Sequence, residues 1–108
     1  MRFQDKVAVI TGSANGIGRA TARILAGEGA YLVAVDMNGP ALAPLAEEVE
    51  AAGGSVATME VDVLDSPQVE TMVGSIVSRF GRIDILINAV GGSTIIQNST
   101  AVVDDLTL

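Results

Sequence analysis

The sequence predicts an α/β fold built on a doubly wound parallel sheet, and three observations carry that expectation. Short apolar runs alternate with longer runs of helical periodicity in the order β-α-β-α-β-α-β. The clearest strand-like runs are apolar throughout, not at alternate positions, as suits strands covered by helices on both faces. A chain of 108 residues has room for one hydrophobic core and no second. Residues 1–108 are therefore expected to form a single domain, with right-handed crossovers between successive strands.

Val7 to Thr11 is a continuous apolar run followed at once by glycine, and it reads as the first strand. From Gly16 to Glu28, the residues Ile17, Ala20, Thr21, Ile24 and Leu25 recur at helical spacing, with Arg19 and Arg23 on the opposite, solvated face and Gly29 as a stop. Tyr31 to Asp36 reads as a second buried strand. Ala41 to Ala52 reads as a second helix, with Leu42, Leu45, Ala46 and Val49 inward and Glu47, Glu48 and Glu50 outward. Val56 to Val61 is rich in strand-forming residues after a glycine turn. Asp65-Ser66-Pro67 then offers a cap and an early proline to a helix whose stripe is Val69, Met72, Val73, Ile76, Val77 and Phe80, closed by Gly81. Ile83 to Asn88 reads as the fourth strand and residues 89–108 as a loop.

Composition removes several classes of function. Apolar residues make up 49% and charged ones 18%, far from the composition of disordered chains. Six basic against thirteen acidic residues give a net charge of −7, so neither nucleic acid nor an anionic membrane surface is an expected partner. The absence of Cys and His excludes disulfides, thiolate nucleophiles, Cys/His zinc sites and imidazole bases, and no metal site is expected. The N-terminus lacks a signal-like apolar run and no apolar stretch has the length of a spanning helix, so the expected location is the cytoplasm.

The strongest local signal is Thr11-Gly12-Ser13-Ala14-Asn15-Gly16-Ile17-Gly18, placed where the first strand must turn into the first helix. Glycines allow a sharp turn and a close backbone approach to a pyrophosphate, while the helix N-terminus offers free N–H groups and partial positive charge. Gly12, Ser13, Asn15, Gly16, Ile17 and Gly18 are thus candidate phosphate-binding residues. The pattern departs from the common G-x-G-x-x-G, whose third glycine is replaced by Thr21. Asp36 closes the second strand, 18 residues after Gly18, where a carboxylate can accept both ribose hydroxyls of NAD and repel the extra phosphate of NADP. Its neighbours Val35 and Met37 carry no positive charge, so NAD is the expected cofactor and NADP the less favoured one.

The spacing Gly12, Gly16, Gly18 resembles that of the short-chain dehydrogenase/reductase family, as does the start Phe3-Gln4-Asp5-Lys6-Val7-Ala8-Val9-Ile10-Thr11-Gly12. Val61-Asp62-Val63 is similar to the family's adenine-contacting segment, which implies that Asp62 and Val63 border the adenine. Gly81-Arg82-Ile83-Asp84-Ile85-Leu86-Ile87-Asn88 resembles the approach to its Asn-Asn-Ala-Gly motif, here Asn88-Ala89-Val90-Gly91, with the outer residues kept and the inner two changed. The resemblance implies a Rossmann-like sheet with the first strand central, the second and third to one side and the fourth on the other. It also places Asn88, Ala89 and Gly91 at the adenosine pocket and the sheet beneath it.

Members of the family interconvert alcohols and carbonyls by hydride transfer, using a Tyr and a Lys four residues later. The single tyrosine here, Tyr31, is followed at that spacing by Val35, and the single lysine is Lys6, so no catalytic residue is assigned. The resemblance therefore covers the family's N-terminal, dinucleotide-binding portion. Three readings stay open: part of an NAD-dependent oxidoreductase acting on a small alcohol or carbonyl, a non-catalytic dinucleotide-binding module, or an interaction module using the fold without a ligand. The apolar run Ile83 to Ile87 would leave an open sheet edge, from which a homo-oligomer is expected.

Overall fold

The computed structural model describes residues 2–89; the loop expected further on, Gly91 included, lies outside the described residues. Strands β1 (Val7–Thr11), β2 (Tyr31–Asp36), β3 (Ser55–Glu60) and β4 (Ile85–Asn88) form one parallel sheet in the order β3-β2-β1-β4. Helix α1 (Gly16–Gly27) joins β1 to β2, α2 (Ala43–Ala51) joins β2 to β3, and α3 (Ser66–Phe80) joins β3 to β4. In register, Val9 lies beside Val33 and Leu86, and Asp36 beside Glu60.

Alternation along the central strands sorts their side chains onto two faces. Ala8, Ile10, Leu32 and Ala34 pack with Ala22, Leu25 and Ala26 of α1 and with Leu45 and Val49 of α2. Val7, Val9, Val33 and Val35 pack with Met72 and Ile76 of α3 and with Val61. β1 is buried along its whole length, which explains why its sequence is apolar without alternation.

Several expectations are corrected. On α1 the buried stripe is Gly18, Ala22, Leu25 and Ala26, whereas Ile17 and Ile24 are 77% and 65% exposed. Gly18, Ala22 and Ala26 bring the helix close to the sheet, and Leu25 fills the space beside them. It ends at Gly27, with Glu28 as the capping residue. The second helix does not run from Ala41. Pro44 has no N–H to continue a helical ladder from residue 40, so the chain first makes a 3-10 turn over Gly39–Leu42 and α2 begins with Pro44 in its first turn. Arg19, Arg23 and Glu48 do lie on the solvent side, and they are joined there: both guanidinium groups donate to the Glu48 carboxylate, Arg23 Nη1 at 3.1 Å, and so clamp α1 to α2. β3 is displaced by one residue, starting at Ser55 and ending at Glu60.

The fourth strand begins at Ile85, not Ile83, because Asp84 turns its side chain into the ladder. Its Oδ2 accepts the Val7 N–H at 2.8 Å, its own N–H donates to the Val7 carbonyl at 3.0 Å, and Arg82 forks onto both carboxylate oxygens. Arg82, and then the Val7 N–H, hold the Asp84 carboxyl below its ordinary range; Arg23 and Arg19 do the same to Glu48. A carboxyl depressed in the folded state stabilises it above the unfolded pKa, and that contribution is lost as pH falls through the folded value. Acid titration of stability is therefore expected to show a loss below about pH 4, the usual aspartate range. Asp84→Asn should flatten that limb, and an unchanged acid profile in the variant would refute the role given to the carboxylate.

Candidate functional site

The C-terminal ends of the strands gather the residues singled out from the sequence. β1 ends at Thr11, and the chain turns through Gly12 and Gly16, both with positive φ (71° and 60°), a conformation that side chains disfavour. The turn is pinned from below. Ser13 N donates to Val35 O at 3.1 Å, and the fully buried Ser13 hydroxyl donates to Ile10 O at 2.6 Å. Ser13 thus faces the strand ends, while Asn15 is exposed at the start of α1.

The N-terminus of α1, like that of α2, lacks the side-chain cap that α3 has. Asn15 makes no side-chain cap bond and the first turn holds no acidic residue. By contrast, Asp65 caps α3 through the Gln68 N–H at 3.2 Å. The start of α1 thus keeps N–H groups without a side-chain cap, which suits it to an anion. Gly18 lies against the turn: a Cβ there would stand 2.0 Å from Gly12 O and 3.2 Å from the Ala89 Cβ. The tight helix-to-strand approach is thus made at Gly18, and Thr21 need not be glycine. Across it, Thr11 Oγ1 donates to Asn88 Oδ1 at 2.7 Å and Ala89 N to Thr11 O at 3.1 Å, tying the ends of β1 and β4.

Asp36, half-buried at the end of β2, holds two loops at once. Its Oδ2 accepts the Ala14 N–H of the glycine turn at 3.1 Å and its Oδ1 accepts Asn38 N–H at 3.0 Å. Asp62 sits beyond β3 and is more local: its Oδ1 accepts the Leu64 N–H at 3.0 Å, and its own N–H donates to Gln68 Oε1 at 2.9 Å. Val63 beside it is half-buried. The structure thus brings Gly12, Gly16, Gly18, Asp36, Asn88 and Ala89 to one edge of the sheet, with Asp62 and Val63 past its third strand.

Three residues there gave no signal in the sequence. Met37 (69% exposed) and Leu64 (86% exposed) stand just past β2 and β3, apolar surface in the open where a flat ring could be covered. Glu60 Oε1 accepts the Gly39 N–H at 3.0 Å. A cleft of about 700 Å³ lies at the opposite, N-terminal end of the strands, lined by Tyr31, Ser55 and Phe80; its charged neighbours Arg23, Glu48 and Arg82 are already paired. Among the described residues no helix is long and apolar enough to cross a membrane, and no acidic cluster could hold a metal ion.

A glycine turn feeding an uncapped helix at the C-terminal edge of a parallel sheet defines a doubly wound α/β protein with a place for an anionic ligand. The chain belongs to the short chain dehydrogenase family, whose family model matches residues 6–106. It is 41% identical over 91 residues to a 3-oxoacyl-[acyl-carrier-protein] reductase of Thermotoga maritima, covering 84% of this chain and 37% of that protein. Among solved structures, it is 32% identical to a metagenomic short-chain oxidoreductase in complex with NADP, with a TM-score of 0.83 over 85% of this chain and 42% of that one. It is 37% identical to an NAD⁺-bound xylitol dehydrogenase, with a TM-score of 0.76 over 80% of this chain and 33% of that one. The chain spans about a third of the length of the curated relatives it matches.

Proposed function

We propose that this chain forms, as one domain, the dinucleotide-holding portion of an NAD-dependent short-chain oxidoreductase that interconverts a small alcohol and a carbonyl. In this reading the turn Gly12, Ser13, Asn15, Gly16, Ile17 and Gly18 brings backbone N–H groups and the free end of α1 to the pyrophosphate. Asp62 and Val63 border the adenine, as do Asn88, Ala89 and Gly91. NAD, when bound, supplies the hydride acceptor, while the chain holds and orients it. The observation that carries the reading is Asp36. An ionised carboxylate has about four acceptor positions, and two are taken by the Ala14 and Asn38 N–H groups, so each oxygen keeps a lone pair for a ribose hydroxyl. A phosphate in the same place would meet a fixed negative charge. Arg19, the cation nearest the turn in sequence, is engaged by Glu48 and gives that phosphate no counter-charge.

Calorimetric titration of the chain with NAD⁺ and NADP⁺ tests the reading. The expected result is tighter binding of NAD⁺; tighter NADP⁺ binding would reverse the preference, and binding of neither would remove the function. Turnover of an alcohol or ketone by the chain alone is expected to be absent, because no Tyr-x-x-x-Lys stands in the sequence and loss of a general acid or base alone lowers rates by about 10²- to 10⁴-fold. That absence favours, for the chain by itself, the reading of a binding module. Self-association belongs to the same proposal, since β4 is an edge strand of half-buried residues among the described ones. Sedimentation over a concentration series should show an oligomer that Ile85→Lys weakens, and a monomer indifferent to that change would count against it.

A further inference from the structure

Asp36 is not the only carboxylate at the end of the sheet that grips the turn beyond β2. Glu60 is its direct partner in the parallel register of β2 and β3, so the two side chains leave the sheet on the same side, about 5 Å apart at the backbone. Asp36 Oδ1 takes the Asn38 N–H at 3.0 Å and Glu60 Oε1 takes the next one, Gly39 N–H, also at 3.0 Å. Asn38 then accepts the Ala41 N–H at 3.3 Å to start the 3-10 turn. The Glu60 side chain lies directly over Gly39, where a Cβ would come within 2.6 Å of its Oε1 and 2.9 Å of its Cβ. The segment Met37 to Gly39 is therefore fastened at consecutive N–H groups by two carboxylates from two strands.

We infer that Glu60 is a specificity-determining residue of the dinucleotide site, which sets the turn after Asp36 and adds a second negative charge against a ribose 2′-phosphate. The inference rests on the dinucleotide reading given above. Its logic is one of distance. A ribose held by Asp36 places its 2′-oxygen beside the Met37–Gly39 turn, and Glu60 acts on that position from the neighbouring strand, inside the screening length of about 8 Å at physiological salt. Among the described residues no guanidinium or ammonium group bonds either carboxylate, so both negative charges act on a phosphate there. Glu60 does not touch the ribose in this account. It works through the turn and through its field, which makes it a positioning residue as well as a charge.

The two contributions separate by substitution. Glu60→Gln keeps an acceptor for the Gly39 N–H and removes the charge, while Glu60→Ala removes both. Titration of the full chain with NAD⁺ and with NADP⁺ should show the NAD⁺ preference falling about 3- to 10-fold in Glu60→Gln, with NAD⁺ affinity unchanged. In Glu60→Ala the same loss of preference should be joined by NAD⁺ binding about 5-fold weaker, as an unfastened turn must be ordered on binding. The preference of the parent chain should shrink with added salt, and that of Glu60→Gln should shrink less. Glu70→Gln, an equal charge change on the exposed face of α3, should leave the ratio alone. An unaltered ratio in Glu60→Gln and Glu60→Ala, with NAD⁺ still bound and thermal unfolding like the parent, would overturn the role of Glu60 and leave the dinucleotide reading intact. A parent chain that takes up neither nucleotide overturns that reading and this inference with it.

Discussion

Gly18→Ala is expected to destabilise the fold by about 3 kcal/mol or more and to abolish dinucleotide binding. Two effects of opposite sign compete at this position. In a helix, Ala is favoured over Gly by about 0.5–1 kcal/mol. Against that, the added methyl would stand 2.0 Å from the Gly12 carbonyl oxygen and 2.8 Å from its carbon, and neither can move without opening the turn. Overpacking typically costs about 1–3 kcal/mol where flexible side chains can yield, so a clash with backbone belongs at or above the top of that range. The clash prevails. Either α1 lifts from the ends of β1 and β4 or the turn shifts, and in both cases the N–H groups at the start of α1 lose their aim. Gly27→Ala is the matched control on the same helix, since a Cβ there meets nothing within 4 Å. It should be neutral or stabilising by up to about 1 kcal/mol. Urea midpoints and NAD⁺ titrations of both variants check the pair, and a Gly18→Ala protein with the parent's stability and affinity would show that the turn can adapt.

Asp36→Ala is expected to weaken NAD⁺ binding by about 100-fold and to erase the preference over NADP⁺. The first effect follows from two losses on binding, since each of the two ribose hydroxyls loses its acceptor at Asp36. A hydrogen bond to a charged group contributes about 1.5–3 kcal/mol, and Asp36 is half-buried, so the lower figure applies to each. Two such losses reach the expected factor. The second effect is electrostatic, because removal of the charge lifts the penalty on a phosphate. Asp36→Asn should keep part of the affinity while losing most of the discrimination. Titration of both variants with both nucleotides measures this, and a preference for NAD⁺ that survives in Asp36→Ala would assign the selectivity elsewhere.

The fold was largely readable because its elements are local patterns. β1 is buried along its whole length and β2 across its four central, apolar residues, and α3 carries its own signals, an Asp65 cap and a Gly81 stop. The errors have a common origin in what periodicity measures. A stripe drawn through large apolar residues put Ile17 and Ile24 of α1 inward, but contact distance, not hydropathy, decides that face, and it selects Gly18, Ala22 and Ala26. At the candidate site, the glycine spacing and the place of Asp36 were legible because both are fixed by the strand–turn–helix geometry. The bonds from Asp36 to Ala14 and from Glu60 to Gly39 join residues more than twenty positions apart. No local spacing encodes them, and a glutamate at a strand end reads like any solvated acid.

The two faces of the sheet differ in the volume of what they hold, and this sets how the chain can vary. Toward α1 and α2 the buried set is rich in alanine, with Ala8, Ala22, Ala26 and Ala34 beneath close-packed helices; toward α3 it is built from Val7, Val9, Val33 and Val35. Tolerance to substitution should therefore alternate along each central strand. Ala8 and Ala34, fully buried, should reject growth, whereas Val9 and Val33 should reject shrinkage that would leave a void. On the side of α1 and α2, which aims the glycine turn, the alanine positions can drift only among small residues, although Ile10, Leu25, Leu32 and Leu45 share that layer, while the layer of α3 has the freedom to exchange one medium-sized apolar side chain for another. At its alanines, the side of the sheet that carries the glycine turn is thus the one closed to growth.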